Sequence, residues 1–169
     1  MPSGSPLESE IGILERRRIE AGIIAPIFAE MRERFGEEQA KAVIETAIRR
    51  AAIESGEHFA AQAPGGTSMR TFQDIQALWT KDDALTVEVL TATDDQFDFN
   101  VRRCRYAETY REMGLGAIGH LLSCNRDGAF CEGYDSRLKL TRTQTIMGGA
   151  NHCDFRYRLE ERSDSSKES

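Results

Sequence analysis

The chain has no apolar run approaching the roughly 20 residues that cross a bilayer, so no membrane span is expected in its 169 residues. It has no CxxC pair among its four cysteines, Cys104, Cys124, Cys131 and Cys153. Cys124 and Cys131 lie seven apart, which matches neither a zinc ribbon nor a zinc finger. It has no glycine-rich phosphate loop: Gly114-Leu115-Gly116 and Gly148-Gly149 lack the strand–glycine–helix setting and the Lys-Ser/Thr that such a loop uses. Nor does it have an excess of basic residues. With 22 Lys+Arg against 28 Asp+Glu, the net charge is −6, which argues against a non-specific nucleic-acid binder. An anionic small molecule held by a few local arginines stays open. The first residues, Met1 to Pro6, show neither the basic nor the apolar region of a secretory signal. The expected compartment is therefore the cytoplasm, where the cysteines would be thiols.

What is present suits one globular domain. Hydrophobic residues make up 40% and charged residues 30%, and a chain of this length buries roughly two-thirds of its unfolded surface. Residues 1–7 and 163–169 are small and polar and read as disordered tails. Between them, residues 8–162 divide into a helical part, 8–80, and a sheet-containing part, 84–160. Ile11, Leu14, Ile19, Ile23, Ile27 and Met31 recur at helical spacing, with Pro26 expected to end or kink that helix near Ala25. A second helix is expected over 37–55, with Ala40, Val43, Ile44, Ala47, Ile48 and Ala51 inward and Gly56 as its cap. Residues 61–68 read as a loop and 71–80 as a short helix. The period then changes to two: Leu85–Leu90 and Phe97–Val101 form a first hairpin, followed by a helix over 102–113. Residues 117–123 suit another helical turn, Asn125 to Gly128 is turn chemistry, and 130–134 is ambiguous. Leu138–Met147 and Cys153–Leu159 read as a second hairpin turning at Gly148-Gly149. The expectation is an α+β fold, with N-terminal helices packed on a roughly four-stranded antiparallel sheet.

Four clusters in the second half could carry chemistry. Cys124 is followed by Arg126 and Asp127. A thiol attacks only as the thiolate, which needs a nearby cation, a helix N-terminus or a histidine, and Arg126, His120 or His152 could serve. The plainer account is a buried thiol beside a turn-stabilising Arg126–Asp127 pair. Cys153 follows His152, but adjacent strand residues face opposite ways, so these two are poor partners. Cys153 shares a face with Phe155 and Tyr157, and Asp154 and Arg156 share the other. Cys104 and Glu108 stand four apart, one helical turn. Arg142 and Arg156 suit bidentate capture of a carboxylate, and cross-strand ion pairs would explain them equally well. A metal held by Cys104, Cys124, Cys153 and a histidine is chemically conceivable, but no close-spaced ligand pair supports it.

Taken in order, Cys104-Arg-Tyr-Ala-Glu108, Leu122-Ser-Cys-Asn-Arg-Asp127, Thr141-Arg-Thr-Gln-Thr-Ile-Met147 and Cys153-Asp-Phe-Arg-Tyr157 resemble the L-2-amino-thiazoline-4-carboxylic acid hydrolase family. The resemblance spans about residues 8–160 and is strongest over 97–157. It implies hydrolytic opening of a small nitrogen-containing ring by attack on a C–N carbon. Cys104, Glu108, Cys124, Asp127, Arg142, Cys153 and Asp154 match the family's motif positions; the catalytic candidates are Cys124, Asp127, Cys153 and Glu108, and the candidate substrate contacts are Arg142, Cys104, His152, Asp154 and Thr143. The expected nucleophile is a thiolate at Cys124, with Asp127 or Glu108 moving protons; alternatively, Asp127 or Glu108 activates water while the thiols line the pocket. The expected partner is a small heterocyclic substrate, a cyclic amidine or amide. No metal, cofactor, nucleic acid or membrane is expected, and self-association into a homo-oligomer stays open. The alternative is a non-catalytic ligand-binding or sensor domain on a vinyl-reductase-like scaffold.

Overall fold

The computed structural model describes residues 11–162; the expected tails and the first residues of the expected opening helix lie wholly or partly outside them. Helix α1 spans Ile13–Phe35 and α2 spans Glu37–Gln62. Two short helices follow, α3 (Met69–Ile75) and α4 (Ala77–Thr80), then strands β1 (Leu85–Ala92) and β2 (Gln96–Cys104). Helix α5 covers Arg105–Glu112. A wide helical turn, His120–Cys124, runs directly into α6 (Asn125–Tyr134), and strands β3 (Leu138–Thr141) and β4 (Cys153–Leu159) close the fold. All strand pairs are antiparallel, in the order β1-β2-β4-β3. This is the expected α+β architecture with a four-stranded sheet. Among the described residues, no helix is long and apolar enough to cross a membrane.

Several local expectations need correction. Helix α1 continues through Pro26. The hydrogen bond that proline removes would have ended on the Gly22 carbonyl, and both residues are exposed, so water can replace it. Helix α2 does not stop at Gly56 but runs on to Gln62. Its buried stripe is Ala40, Ile44, Ile48, Ala52 and Gly56, one residue per turn, while Val43, Ala47 and Ala51 face outward. The expected helix over 71–80 begins earlier, at a Ser68 capping box: Thr71 N donates to Ser68 Oγ at 3.1 Å and Ser68 N donates to Thr71 Oγ1 at 2.9 Å. It divides at Gln76 into α3 and α4. Strand β2 persists to Cys104, so α5 begins at Arg105 rather than at residue 102.

The largest differences lie around the second hairpin. Asn125 to Gly128 is the first turn of α6, not a loop. Asn and Asp suit helix starts as well as loops, and here the preceding turn continues unbroken into α6, with the Asn125 side chain donating to the Glu45 carbonyl at 3.3 Å. Strand β3 ends at Thr141, and residues 142–152 form a long connection instead of continuing to Met147. Asp154 draws the chain out of the sheet by accepting from the Thr143 and Gln144 amides, each at 2.9 Å, and from the Thr143 hydroxyl.

Two apolar clusters hold the fold. One joins α1, α2, α5 and residues 115–122 around Ala21, Phe28, Ile44, Ile48, Tyr110 and Ile118. The other lies between the sheet and helices α3 and α6, around Phe72, Phe97, Phe99, Phe130, Tyr134 and Phe155. Alternation decides which sheet face meets the helices: Phe97, Phe99 and Val101 on β2 and Cys153, Phe155 and Tyr157 on β4. The opposite face carries charge. Arg158 donates to Asp98, and Arg156 donates to Asn100 Oδ1 at 3.0 Å and to the Phe99 carbonyl at 3.0 Å. Helices α2 and α6 meet with their backbones nearly touching. A Cβ at Gly56 would lie 2.2 Å from the Phe130 carbonyl oxygen, and one at Gly133 would lie 2.0 Å from that of Ile53. Glycine is required at both positions because only a bare Cα permits that approach.

Candidate functional site

A cavity of about 320 Å³ opens between the inner sheet face and the helices. Its sheet wall is Leu85, Val87, Val89, Phe97, Phe99, Phe155 and Tyr157. Helices α2, α3, α4 and α6 supply Ala52, Phe72, Trp79 and Phe130. The aromatic rings pack on one another: Trp79 to Phe130 at 5.3 Å between centroids, Phe99 to Phe155 at 4.8 Å, and Phe72 to Tyr157 at 4.8 Å. Trp79 is further fixed by the Tyr106 hydroxyl, which donates to its carbonyl at 3.2 Å. A smaller recess adjoins this chamber and is lined by Cys104, Cys124, Cys153 and Arg142. Arg17, Arg126 and Asp127 line both, together with Trp79, Leu85 and Phe155, so these charged groups stand among apolar ones where chamber and recess meet.

Asp127 is the one acidic side chain lining either space among the described residues. The first turn of α6 presents it. Arg142 Nη1 donates to its Oδ2 at 2.6 Å, and Arg142 Nη2 donates to the Cys124 carbonyl at 3.1 Å. The Arg142 guanidinium also lies over the Phe155 ring, 4.9 Å from its centroid, a cation–π contact. Arg142 therefore ties the connection after β3 to the start of α6. Burial raises the Asp127 carboxyl above its usual range, against the opposing pull of Arg142, Arg126 and Arg17. Beside it, Arg126 donates Nε to the Leu122 carbonyl at 2.8 Å and Nη2 to Glu20 at 3.1 Å, and Arg17 donates Nη1 to Glu20 at 2.8 Å. Burial and the adjacent Arg17 charge pull the Arg126 guanidinium down to about 10.

The three thiols of the recess are held as hydrogen-bond partners and small apolar groups. Cys104 Sγ accepts from the Ala107 amide at 3.4 Å and caps α5. Cys153 Sγ accepts from the Ile146 amide at 3.2 Å. Burial pushes the Cys124 thiol up to about 12, with the Asp127 charge acting in the same direction, and pushes Cys104 up to about 11. Cys131 lies on α6 with its thiol donating to the Asp127 carbonyl at 3.3 Å, and burial takes it to about 12. Among the described residues, no group of three or more His, Cys, Asp or Glu side chains is placed to hold a metal ion.

Of the residues singled out from the sequence, Asp127, Arg142, Cys104, Cys124 and Cys153 come together here. Glu108 does not. It turns outward to Arg103, which donates to it at 2.8 and 3.0 Å and holds its carboxyl below the usual range. Asp154, on β4, and Thr143, in the connection after β3, are occupied with each other. His152 sits beside Gln144 and Asn151 at the surface end of that connection. Arg156 points to the charged sheet face, away from the cavity. Sequence reasoning passed over Arg17, Trp79 and Phe130. Arg17 was detectable: it stands in register with Ile13, Ala21, Ile24 and Phe28 on the inward face of α1, and a charge on an apolar stripe is a site signal.

Residues 16–157 match the family described as L-2-amino-thiazoline-4-carboxylic acid hydrolase. The chain belongs to that family. No curated protein matches the sequence. Among solved structures, the phenol-responsive sensory domain of the transcription activator PoxR, with phenol, is similar at a TM-score of 0.52 and 13% identity, over 85% of this chain and 76% of that one. A trafficking protein particle complex subunit 3 from Naegleria fowleri, covalently bound to palmitic acid, is similar at a TM-score of 0.47 and 12% identity, over 86% of this chain and 96% of that one. Membership in the family supports a hydrolase reading. The sensory-domain likeness establishes shared architecture.

Proposed function

We propose that this protein opens a nitrogen-containing ring, a cyclic amidine or amide, with Asp127 as the proton-transferring group. The observation that carries this reading is the position of Asp127: a carboxylate with a raised pKa, lining both the chamber and the recess and oriented by Arg142. Water is the nucleophile. Asp127 takes a proton from it as its oxygen bonds to the C–N carbon, and the π electrons of that carbon move onto its heteroatom. Asp127 then returns the proton to the ring nitrogen as the electron pair on the heteroatom re-forms the double bond to carbon and the C–N bond breaks. The guanidiniums of Arg142 and Arg126 line the recess beside Asp127 and would offset charge that develops on the heteroatom. Cys104, Cys124 and Cys153 shape the recess. A thiol held near 12 is almost wholly protonated at neutral pH and attacks poorly, which favours activated water over a cysteine nucleophile.

Turnover of 2-amino-thiazoline-4-carboxylate and of a panel of cyclic amidines and amides tests this, with ring opening followed by chromatography. Asp127→Asn should lower kcat by about 10²–10⁴ while ligand binding, read by Trp79 fluorescence, persists. Turnover by Asp127→Asn within a few-fold of wild type would remove Asp127 from the reaction. A second reading, a non-catalytic ligand-binding domain, is favoured by the apolar chamber and by the shared architecture with the sensory domain. Saturable binding with no ring opened across the panel would establish that reading instead.

A further inference from the structure

The chamber is larger and more apolar than a single small polar ring requires. At about 320 Å³ it falls within the range of sites that enclose most of a ligand of moderate size (about 300–1,000 Å³). Phe72, Trp79, Phe97, Phe99, Phe130 and Phe155 offer ring faces and edges around it. A ligand confined to the polar end would leave these rings against water, and covering that apolar surface is favourable in proportion to its area. The occupant therefore has an apolar body, and flat rings suit walls made of rings.

The polar end specifies the other half of the ligand. Arg17, Arg126 and Arg142 bring three positive charges there, against two negative charges on Asp127 and Glu20. One cation is left without a counter-charge, and the side chains of Arg17 and Arg126 are each only 14% exposed. Arg17 donates through Nη1 alone, to Glu20, and Arg126 through Nε and Nη2. Their remaining N–H groups meet no protein acceptor among the described residues, and none of those nitrogens is sealed away from open space. Such donors match the planar oxygen pair of a carboxylate.

We infer that the ligand of this cavity is an aryl-substituted carboxylate, with its aromatic body in the chamber and its carboxylate on Arg17 and Arg126. Under the ring-opening reading, on which this substrate assignment rests, the reacting ring lies between the two, against Asp127. The substrate is then a cyclic amidine or amide bearing both a carboxylate and an aromatic substituent.

The chain has a single tryptophan, and it lines the chamber, so intrinsic fluorescence reports occupancy directly. Wild-type protein is titrated with phenylpropanoate, with its neutral analogue phenylpropanamide, and with 2-amino-thiazoline-4-carboxylate. Phenylpropanoate should saturate and bind about tenfold more tightly than the amide, a typical gain for a charge-assisted pair. It should also bind more tightly than the thiazoline. Arg17→Gln should bring acid and amide to the same affinity without weakening the amide. Val87→Phe, which fills the chamber from the sheet wall, should weaken both aryl ligands by about tenfold or more. Equal binding of acid and amide by wild type overturns the carboxylate assignment, whether or not Arg17→Gln folds. Thiazoline binding as tight as that of phenylpropanoate overturns the aryl assignment. An aryl-bearing cyclic amidine that binds but is never opened refutes the hydrolase reading and leaves the ligand class intact. Opening of the small thiazoline alone, with no aryl binding, does the reverse.

Discussion

Replacing Gly56 with alanine tests the packing that positions Asp127. The new Cβ would stand 2.2 Å from the Phe130 carbonyl oxygen and 2.7 Å from the Tyr134 nitrogen, where ordinary contact begins at 3.4 Å. Both obstacles are backbone atoms, so no rotamer change relieves the clash, and α2 and α6 must part by about 1 Å. Alanine should gain about 1 kcal/mol over glycine in the middle of a helix, whereas overpacking of this kind costs about 1–3 kcal/mol and sometimes more. The contact is between backbones, so the upper end applies and the net loss should be about 2 kcal/mol. For a domain of this size each kcal/mol moves Tm by about 2–4 °C, so Tm should fall by about 4–8 °C in a thermal melt. Gly128→Ala, on the same helix α6 but with nothing within 4 Å of its Cβ position, should instead hold or raise Tm. Gly56→Ala combined with Gly133→Ala should cost less than the sum of the two, because one separation relieves both clashes. A Gly56→Ala protein as stable as wild type would refute the argument that backbone proximity sets this crossing.

Alkylation with iodoacetamide at pH 7 should be slow at all four cysteines, given thiols that burial raises to about 11 or 12 at Cys104, Cys124 and Cys131. Cys124→Ser should keep kcat within a few-fold of wild type; a fast-labelling Cys124 whose loss abolishes turnover would restore the thiolate mechanism. In the pH profile of kcat/KM, activity needs the Asp127 carboxylate, so the rate should fall with acidification. The midpoint should lie above the ordinary aspartate value of 3.8, because burial raises this group; a midpoint at or below 3.8 contradicts the assignment. Asp154→Ala should destabilise the fold by about 1.5–3 kcal/mol at pH 7, the scale of hydrogen bonds to a charged group. Burial acts upward on Asp154, but bonds from Thr143 and Gln144 outweigh it and lower the folded-state pKa. That contribution is complete above the unfolded value near 3.8 and disappears as pH falls through the folded one. Urea melts should therefore converge for mutant and wild type in acid, and a constant difference would count against the carboxylate role.

Much of the sheet was legible because period-two alternation reports which face is buried. Phe97, Phe99 and Val101, and Cys153, Phe155 and Tyr157, fall inward as their spacing requires. The same signal misled from Arg142 to Met147. Alternation cannot distinguish a strand from a connection whose side chains are engaged elsewhere, here Arg142 with Asp127 and Thr143 with Asp154. Asn125 to Gly128 was equally ambiguous, since the residues that favour turns also favour the first turn of a helix. On α2, apolar spacing marked the helix but not which of two adjacent stripes was inward. That depended on the glycine crossing with α6, which is invisible to a one-helix pattern.

The linear chain thus determined the order of the first two helices, the two hairpin regions and their four strands, the inward faces of β2 and β4, the family, and Cys124, Asp127 and Arg142 as chemically interesting. These are local properties, carried by residue type and spacing. The tertiary structure alone decided that Arg17, more than a hundred residues from Asp127 in sequence, joins it at one end of an aromatic chamber, and that Glu108, His152 and Asp154 do not. It also decided the character of the thiols. Protonation depends on burial and neighbouring charge, and both are set by what the folded chain packs against Cys124.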